Sequence, residues 1–171
     1  MQQIISAHNK SVLHPVQTST SASPAQTSNN CNCKNKVCPL NGNCLTSGVI
    51  YQATVTRQDN LKEETYIGLT GGPFKTRFNV HNSTFRNENQ RNATTLSQYV
   101  WTLTDKKVLY SIKWKILAWS KPYSVNSKRC NLCITEKYFI ISKPLLSTLN
   151  NRNELASGCR HRRKHLLSNF K

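Results

Sequence analysis

Four cysteines crowded into a short stretch, Cys31, Cys33, Cys38 and Cys44, and a C-x-x-C followed by a C-x-H, Cys130, Cys133, Cys159 and His161, constrain this chain more than any other feature. Together they use all 7 cysteines of the 171 residues, an odd number that suits metal ligation better than a secreted disulfide framework. Four ligands in each group would make two closed tetrahedral sites, the arrangement of structural zinc. Adjacent ligands in C-x-C strain a chelate, so two alternatives stand beside it. Either Cys31 or Cys33 is a spectator, or the two groups share one ion. Buried reduced cysteines without metal are the plainer reading. They fit poorly with the flanking Lys34, Lys36, Arg129 and Arg160, which suggest surface loops.

Charge points to the partner. The chain carries 24 Lys and Arg against 7 Asp and Glu, a formal net charge of +17. Such an excess favours a polyanion, nucleic acid first, with a ribosomal-type or membrane-surface protein as the non-catalytic alternative. No apolar run approaches the roughly 18 residues of a membrane span, and no charged-then-apolar leader is visible, so we expect a soluble protein without a membrane partner. Residues 1–30, rich in Ser, Thr, Gln and Asn with Lys10 as their sole base, read as a disordered linker. The charge therefore belongs to the folded part of the chain beyond it.

Periodicity organises that part. Val49, Tyr51, Ala53 and Val55 recur at period two, and a second run from Thr65 to Leu69 comes after a polar turn with Asp59 and Asn60, which predicts a β-hairpin. Behind Pro73, Phe74, Phe78, His81 and Phe85 fall at helical spacing; Leu96, Tyr99, Val100 and Leu103 do the same behind a cap at Thr94 or Thr95. Ile112, Trp114 and Ile116 alternate with Lys113 and Lys115 as a half-buried strand with a basic outer face, and residues 131–142 form a helix ended by Pro144. The order β-β-α-α-β-α describes a small α/β (α+β) domain. We expect a three-stranded mixed or antiparallel sheet flanked by helices.

Glu136 is the most informative single residue. It lies four positions after Leu132 and four before Ile140, within the stripe that otherwise faces the core. A carboxylate there needs pairing, hydrogen bonding or a metal. Pairing with a Lys or Arg is the bland explanation.

The hairpin holds Gly48 to Tyr51, read GVIY, and Tyr66, Ile67 and Gly68 within TYIG; Arg77 and His81 come next, one turn apart, then Glu136 and Asn150. In this order the residues resemble the GIY-YIG nucleases, across about residues 48–155. GVIY carries one residue more than GIY, and Asn151 or Asn153 could replace Asn150 in the match. The strings CNCKNKVCPLNGNCLTSGVIYQATV, YIGLTGGPFKTRFNVH, CNLCITEKYFI, LNNRNEL and CRHR are similar to the endonuclease module of Penelope-like retroelements. The resemblance divides the chain into the linker (1–30), a Cys-rich zinc-binding segment (31–47), the nuclease domain (48–155) and a Cys/His and basic C-terminal segment (156–171).

It also implies a chemistry. Glu136 would bind Mg²⁺ or Mn²⁺; Tyr51 would act as general base, directly or through a relay, with Tyr66 and His81 assisting; Arg77 would stabilise the phosphate, and Asn150 would complete the catalytic set. A nick with a free 3′ hydroxyl would prime reverse transcription. The implied setting is nuclear, with a DNA target, element RNA and a reverse transcriptase domain in the same longer polypeptide. Lys75 and the basic run Arg160, Arg162, Arg163 and Lys164 would contact phosphates, a solvated tail being the alternative for the run. The competing function is a non-catalytic, zinc-stabilised DNA- or RNA-binding module, a decayed copy of such an element.

Overall fold

The structure, a computed structural model, describes residues 30–33, 38–121, 130–151, 159 and 161. Residues 1–29 of the expected linker, and Arg160, Arg162, Arg163 and Lys164 of the expected phosphate contacts, lie outside the described residues.

Strand β1 (Val49–Arg57) is the middle of a three-stranded sheet ordered β2-β1-β3, with β2 (Glu63–Thr70) and β3 (Tyr110–Trp119) on either side. Both pairings are antiparallel, so the sheet has no mixed character. Helices α1 (Phe74–Thr84) and α2 (Thr95–Asp105) come after β2, and α3 (Asn131–Ser142) comes after β3. The expected order is the observed one. Among the described residues no helix is long and apolar enough to cross a membrane.

The alternation in β1 holds, but the face left over is not solvent. Val49, Tyr51, Ala53 and Val55 pack with Phe74 of α1 and Leu96, Val100 and Leu103 of α2. Ile50 points the other way, into a second core with Ile67, Cys130 and Leu132. Helix α3 covers that side, which makes a three-layer α/β/α arrangement with β1 buried on both faces. Gln52 is 1% exposed there and is tolerated because its side-chain amide donates to the Leu146 carbonyl at 2.8 Å. On β3, Ile112, Trp114 and Ile116 face the first core while Lys113 and Lys115 stay exposed, as their alternation predicts.

Local chemistry sets the ends of the elements. Thr94 caps α2 in a reciprocal box with Ser97: the Ser97 amide donates to Thr94 Oγ1 at 3.0 Å and the Thr94 amide to Ser97 Oγ at 2.9 Å. Helix α1 has no side-chain cap behind Pro73. Its first amides, Phe74 and Lys75, donate instead to the carbonyls of Thr46 (2.9 Å) and Cys44 (2.7 Å) in the cysteine-rich loop. The outer edge of β2 is also occupied. Thr65 donates to Thr148 Oγ1 at 2.8 Å, Leu149 donates back to the Thr65 carbonyl at 2.9 Å, and Asn150 takes the next place.

Candidate active site and metal centres

Tyr51 and Gly68 face each other across β1 and β2, and Tyr66 faces Ala53. The pairing brings both tyrosines to the side of the sheet that α1 covers. Arg77 and His81, one turn apart on α1, come down on them. The Tyr51 hydroxyl lies 2.8 Å from His81 Nε2 and accepts from Arg77 Nε at 3.1 Å. Rings close around this polar knot: Trp114 sits 5.4 Å from His81 and 5.9 Å from Tyr51, and Phe74 packs edge-on to Tyr51 at 5.2 Å.

Burial sets the electrostatics. His81 is fully buried, and burial first, then the Arg77 charge, lowers its pKa to about 3, so the imidazole is neutral at ordinary pH. Its Nδ1 has no hydrogen-bond partner among the described residues. Burial acts to depress Arg77 as well, but the oxygens of Tyr51 and Tyr66 outweigh it, and the guanidinium is held firmly charged.

Tyr66, Arg77, His81 and Glu136 line one cleft of about 470 Å³ between α1, β2 and α3. Thr70, Gly71, Val80, Thr94 and Ile140 complete much of its wall. Four of the six expected catalytic residues thus share a surface. The other two do not open onto it. Tyr51 is fully buried behind the knot, its hydroxyl held by His81 and Arg77 of the cleft wall. Asn150 grips the backbone of Ile67, accepting from its amide at 2.8 Å and donating to its carbonyl at 2.9 Å, which extends the ladder of β2 like a further strand. Lys75 donates to Asn32 at 2.7 Å, and so ties α1 to the cysteine-rich loop.

The eight metal-type ligands form two separate groups, Cys31, Cys33, Cys38 and Cys44, and Cys130, Cys133, Cys159 and His161, each with all its ligand atoms within 4.8 Å of one another. Cys31 and Cys33 both stand in the first group, so both are placed to serve as ligands, and the two groups are separate clusters. Two zinc ions at these positions is the arrangement the donors fit. Arms of 2.3 Å in a tetrahedron place sulfurs about 3.8 Å apart. Observed separations are 3.5 and 3.6 Å in the first group and 3.4 Å between Cys133 and Cys159 in the second, with His161 Nδ1 3.4 to 3.7 Å from its three sulfurs. No disulfide competes, since all seven cysteines are free. The amides of Cys33 and His161 point at the sulfurs of Cys31 and Cys159, at 3.3 and 3.4 Å, which favours thiolates.

Crowding splits the acidities of the first group. Burial acts to raise Cys38, but the backbone amides of Gly42 and Leu40 and the neighbouring sulfurs bring it down to about 6. Burial and the crowding of the other three sulfurs push Cys44 up to about 12. Four sulfurs this close cannot all ionise without a cation among them.

The metal groups abut the cleft residues. Cys133 and His161 contribute to the cleft wall one turn from Glu136, and the first group's loop holds the start of α1. Periodicity did not mark Trp114 as part of the site. Its inward alternation was visible, but its place above His81 depends on the pairing of β3 with β1. No protein-family model, curated protein or solved structure matches the chain.

Proposed function

We propose that the chain is a metal-dependent endonuclease that nicks DNA to leave a 3′ hydroxyl. The observation that carries this reading is the convergence of Tyr66, Arg77, His81 and Glu136 on one cleft, with Tyr51 bonded beneath them, in a chain of net charge +17. Glu136 is the one carboxylate in the cleft wall among the described residues, and it would hold a Mg²⁺ or Mn²⁺ ion that keeps its remaining positions for water and phosphate. When bound, that ion supplies Lewis-acid polarisation of a phosphate oxygen and a more acidic water.

The chain's own residues would do the remainder. Arg77, kept charged and aimed by its bond to Tyr51, offers a planar fork to the scissile phosphate. Tyr66 presents a hydroxyl at the cleft, where it orients the attacking water. His81, neutral and held at Nε2 by Tyr51, would fix the Tyr51 hydroxyl in place from within the cleft wall. The two zinc sites are assigned to scaffolding. In the retroelement setting, the nicked end would prime a reverse transcriptase on element RNA in the nucleus.

Plasmid nicking with and without Mg²⁺ tests this. Wild type should nick only with the metal, and Glu136→Ala should lose nicking by at least about a hundredfold while still retarding DNA. The two Cys/His groups and the charge support a second reading, a non-catalytic zinc-stabilised nucleic-acid-binding module. Wild-type binding with no metal-dependent cleavage would select it.

A further inference from the structure

Helix α1 has a polar face that neither the core nor the cleft uses. Phe74, Phe78, His81 and Phe85 turn inward, and Arg77, Val80 and Thr84 border the cleft with His81. Asn79, Asn82, Ser83 and Arg86 fall at i, i+3, i+4 and i+7 and so share the outer side. The turn that carries Arg86 past the helix end is fixed by backbone bonds, the amides of Arg86 and Asn87 both donating to the Ser83 carbonyl at 3.1 and 3.0 Å. With Asn87 these four line an open groove of about 430 Å³. Asn87 is committed, since its side-chain oxygen accepts from the Asn89 amide at 3.1 Å. The side chains of the other four make no hydrogen bond or ion pair among the described residues.

Asn and Ser are weak helix formers, and here their side chains gain no local bond in return, so helix stability does not account for them. Their chemistry names an occupant. Each Asn amide offers a donor and an acceptor side by side, the pair that matches the N6 and N7 edge of adenine, and the Arg86 fork matches O6 and N7 of guanine. No carboxylate lines the groove or occurs in α1, and Glu88, the next acid along the chain, faces Arg91 at 3.8 Å. The net charge of +17 draws a polyanion to such a face. A groove made for phosphates alone would gather lysines and arginines, whereas this one holds a single cation among amides. An acidic peptide would answer Arg86 and leave the amide oxygens without donors.

The cleft lies next door. Arg77, Val80 and Ser83 step around α1 three positions apart, from the cleft to the groove. An α-helix about 10 Å across fills a DNA major groove about 12 Å wide, which sets its flank against the bordering phosphates. On α1 that flank carries Arg77.

We propose that the outer face of α1 enters the major groove of duplex DNA and reads base edges through Asn79, Asn82 and Arg86. The proposal rests on the DNA target of the reading above but not on cleavage, and it gives the nick a preferred sequence.

Binding of the full chain to randomised duplexes in Mg²⁺-free buffer tests it. Wild type should enrich a short motif with A and G at fixed positions and bind it at least about fivefold more tightly than the unselected library. Asn79→Ala and Arg86→Lys should each flatten one position of that motif at unchanged melting temperature, the second because lysine keeps the charge and loses the fork. No motif in wild type would overturn the proposal. So would variants that weaken every duplex by the same factor, the mark of backbone contact, and so would a motif that survives both substitutions. An enriched motif without Mg²⁺-dependent nicking would uphold the proposal and overturn the cleavage reading alone.

Discussion

The ring of Tyr51 lies directly over Gly68, its partner on β2: a Cβ built at position 68 would stand 2.5 Å from the tyrosine hydroxyl oxygen and 2.6 Å from Cζ. The glycine is needed for room, not for an unusual backbone angle. Tyr51 cannot swing aside, because Phe74, Trp114 and His81 enclose it. Gly68→Ala should therefore destabilise the domain by about 1–3 kcal/mol, the usual cost of overpacking, and should disturb the Tyr51–His81 bond. Urea denaturation gives the first quantity. Unchanged stability would mean that the ring has space not seen in this packing.

Buried His81 makes stability depend on pH. In the folded chain it stays neutral down to about pH 3, whereas the ordinary value is 6.5. Between these limits the unfolded chain binds a proton that the folded chain refuses, so the contribution is complete above pH 6.5 and drains away as pH falls toward 3. Zinc held by the two Cys/His groups would be released in acid as well. The informative quantity is the difference between wild type and His81→Gln, which has no such proton to take up. Wild type should lose on the order of a few kcal/mol more than the variant between pH 7 and pH 4. Parallel curves would place the titration elsewhere.

Asn150 was expected in the catalytic set, and its geometry predicts a structural phenotype. Its amide satisfies both backbone groups of Ile67, a fully buried residue at the centre of the second core. Asn150→Ala strands a donor and an acceptor and should cost about 1–3 kcal/mol. Asn150→Asp keeps the acceptor for the amide but sets a charge against the carbonyl, and should be no better. Hydrogen exchange at the Ile67 amide, faster in both variants, checks the mechanism directly.

These residues show how far the sequence could be read. The elements were legible because their patterns are local: period two in β1 and β3, helical spacing from Phe74 to Phe85, a Thr before Leu96. The two cysteine groups were legible for a similar reason, since ligand type and spacing carry the chemistry whatever surrounds them. What escaped depends on distant pairing. Ile50 and Gln52 gave no sign that α3 would cover their side of the sheet, and Gln52 is satisfied by Leu146, 94 positions away. Tyr51 looked able to meet a water directly. Its burial comes from Gly68 on one neighbouring strand and Trp114 on the other, which strand patterns alone do not place. Nothing near Asn150 in sequence announces its grip on Ile67, 83 positions earlier.

The two metal groups should act on different walls of the cleft. The first holds α1, which carries Arg77 and His81: the carbonyls of Cys44 and Thr46 accept from its opening amides, and Asn32 accepts from Lys75 Nζ. The second sits at the start of α3, one turn before Glu136. Wild type should contain two zinc ions per chain, and Cys44→Ser and Cys133→Ser should each retain one, losing several kcal/mol of stability apiece. Amide exchange should then separate them. Phe74 and Lys75 should lose protection in Cys44→Ser and keep it in Cys133→Ser, while the first turn of α3 should behave the other way. Loss of both zinc ions in either variant would show that the groups fold as one unit. Retention of both would mean that these sulfurs are not ligands.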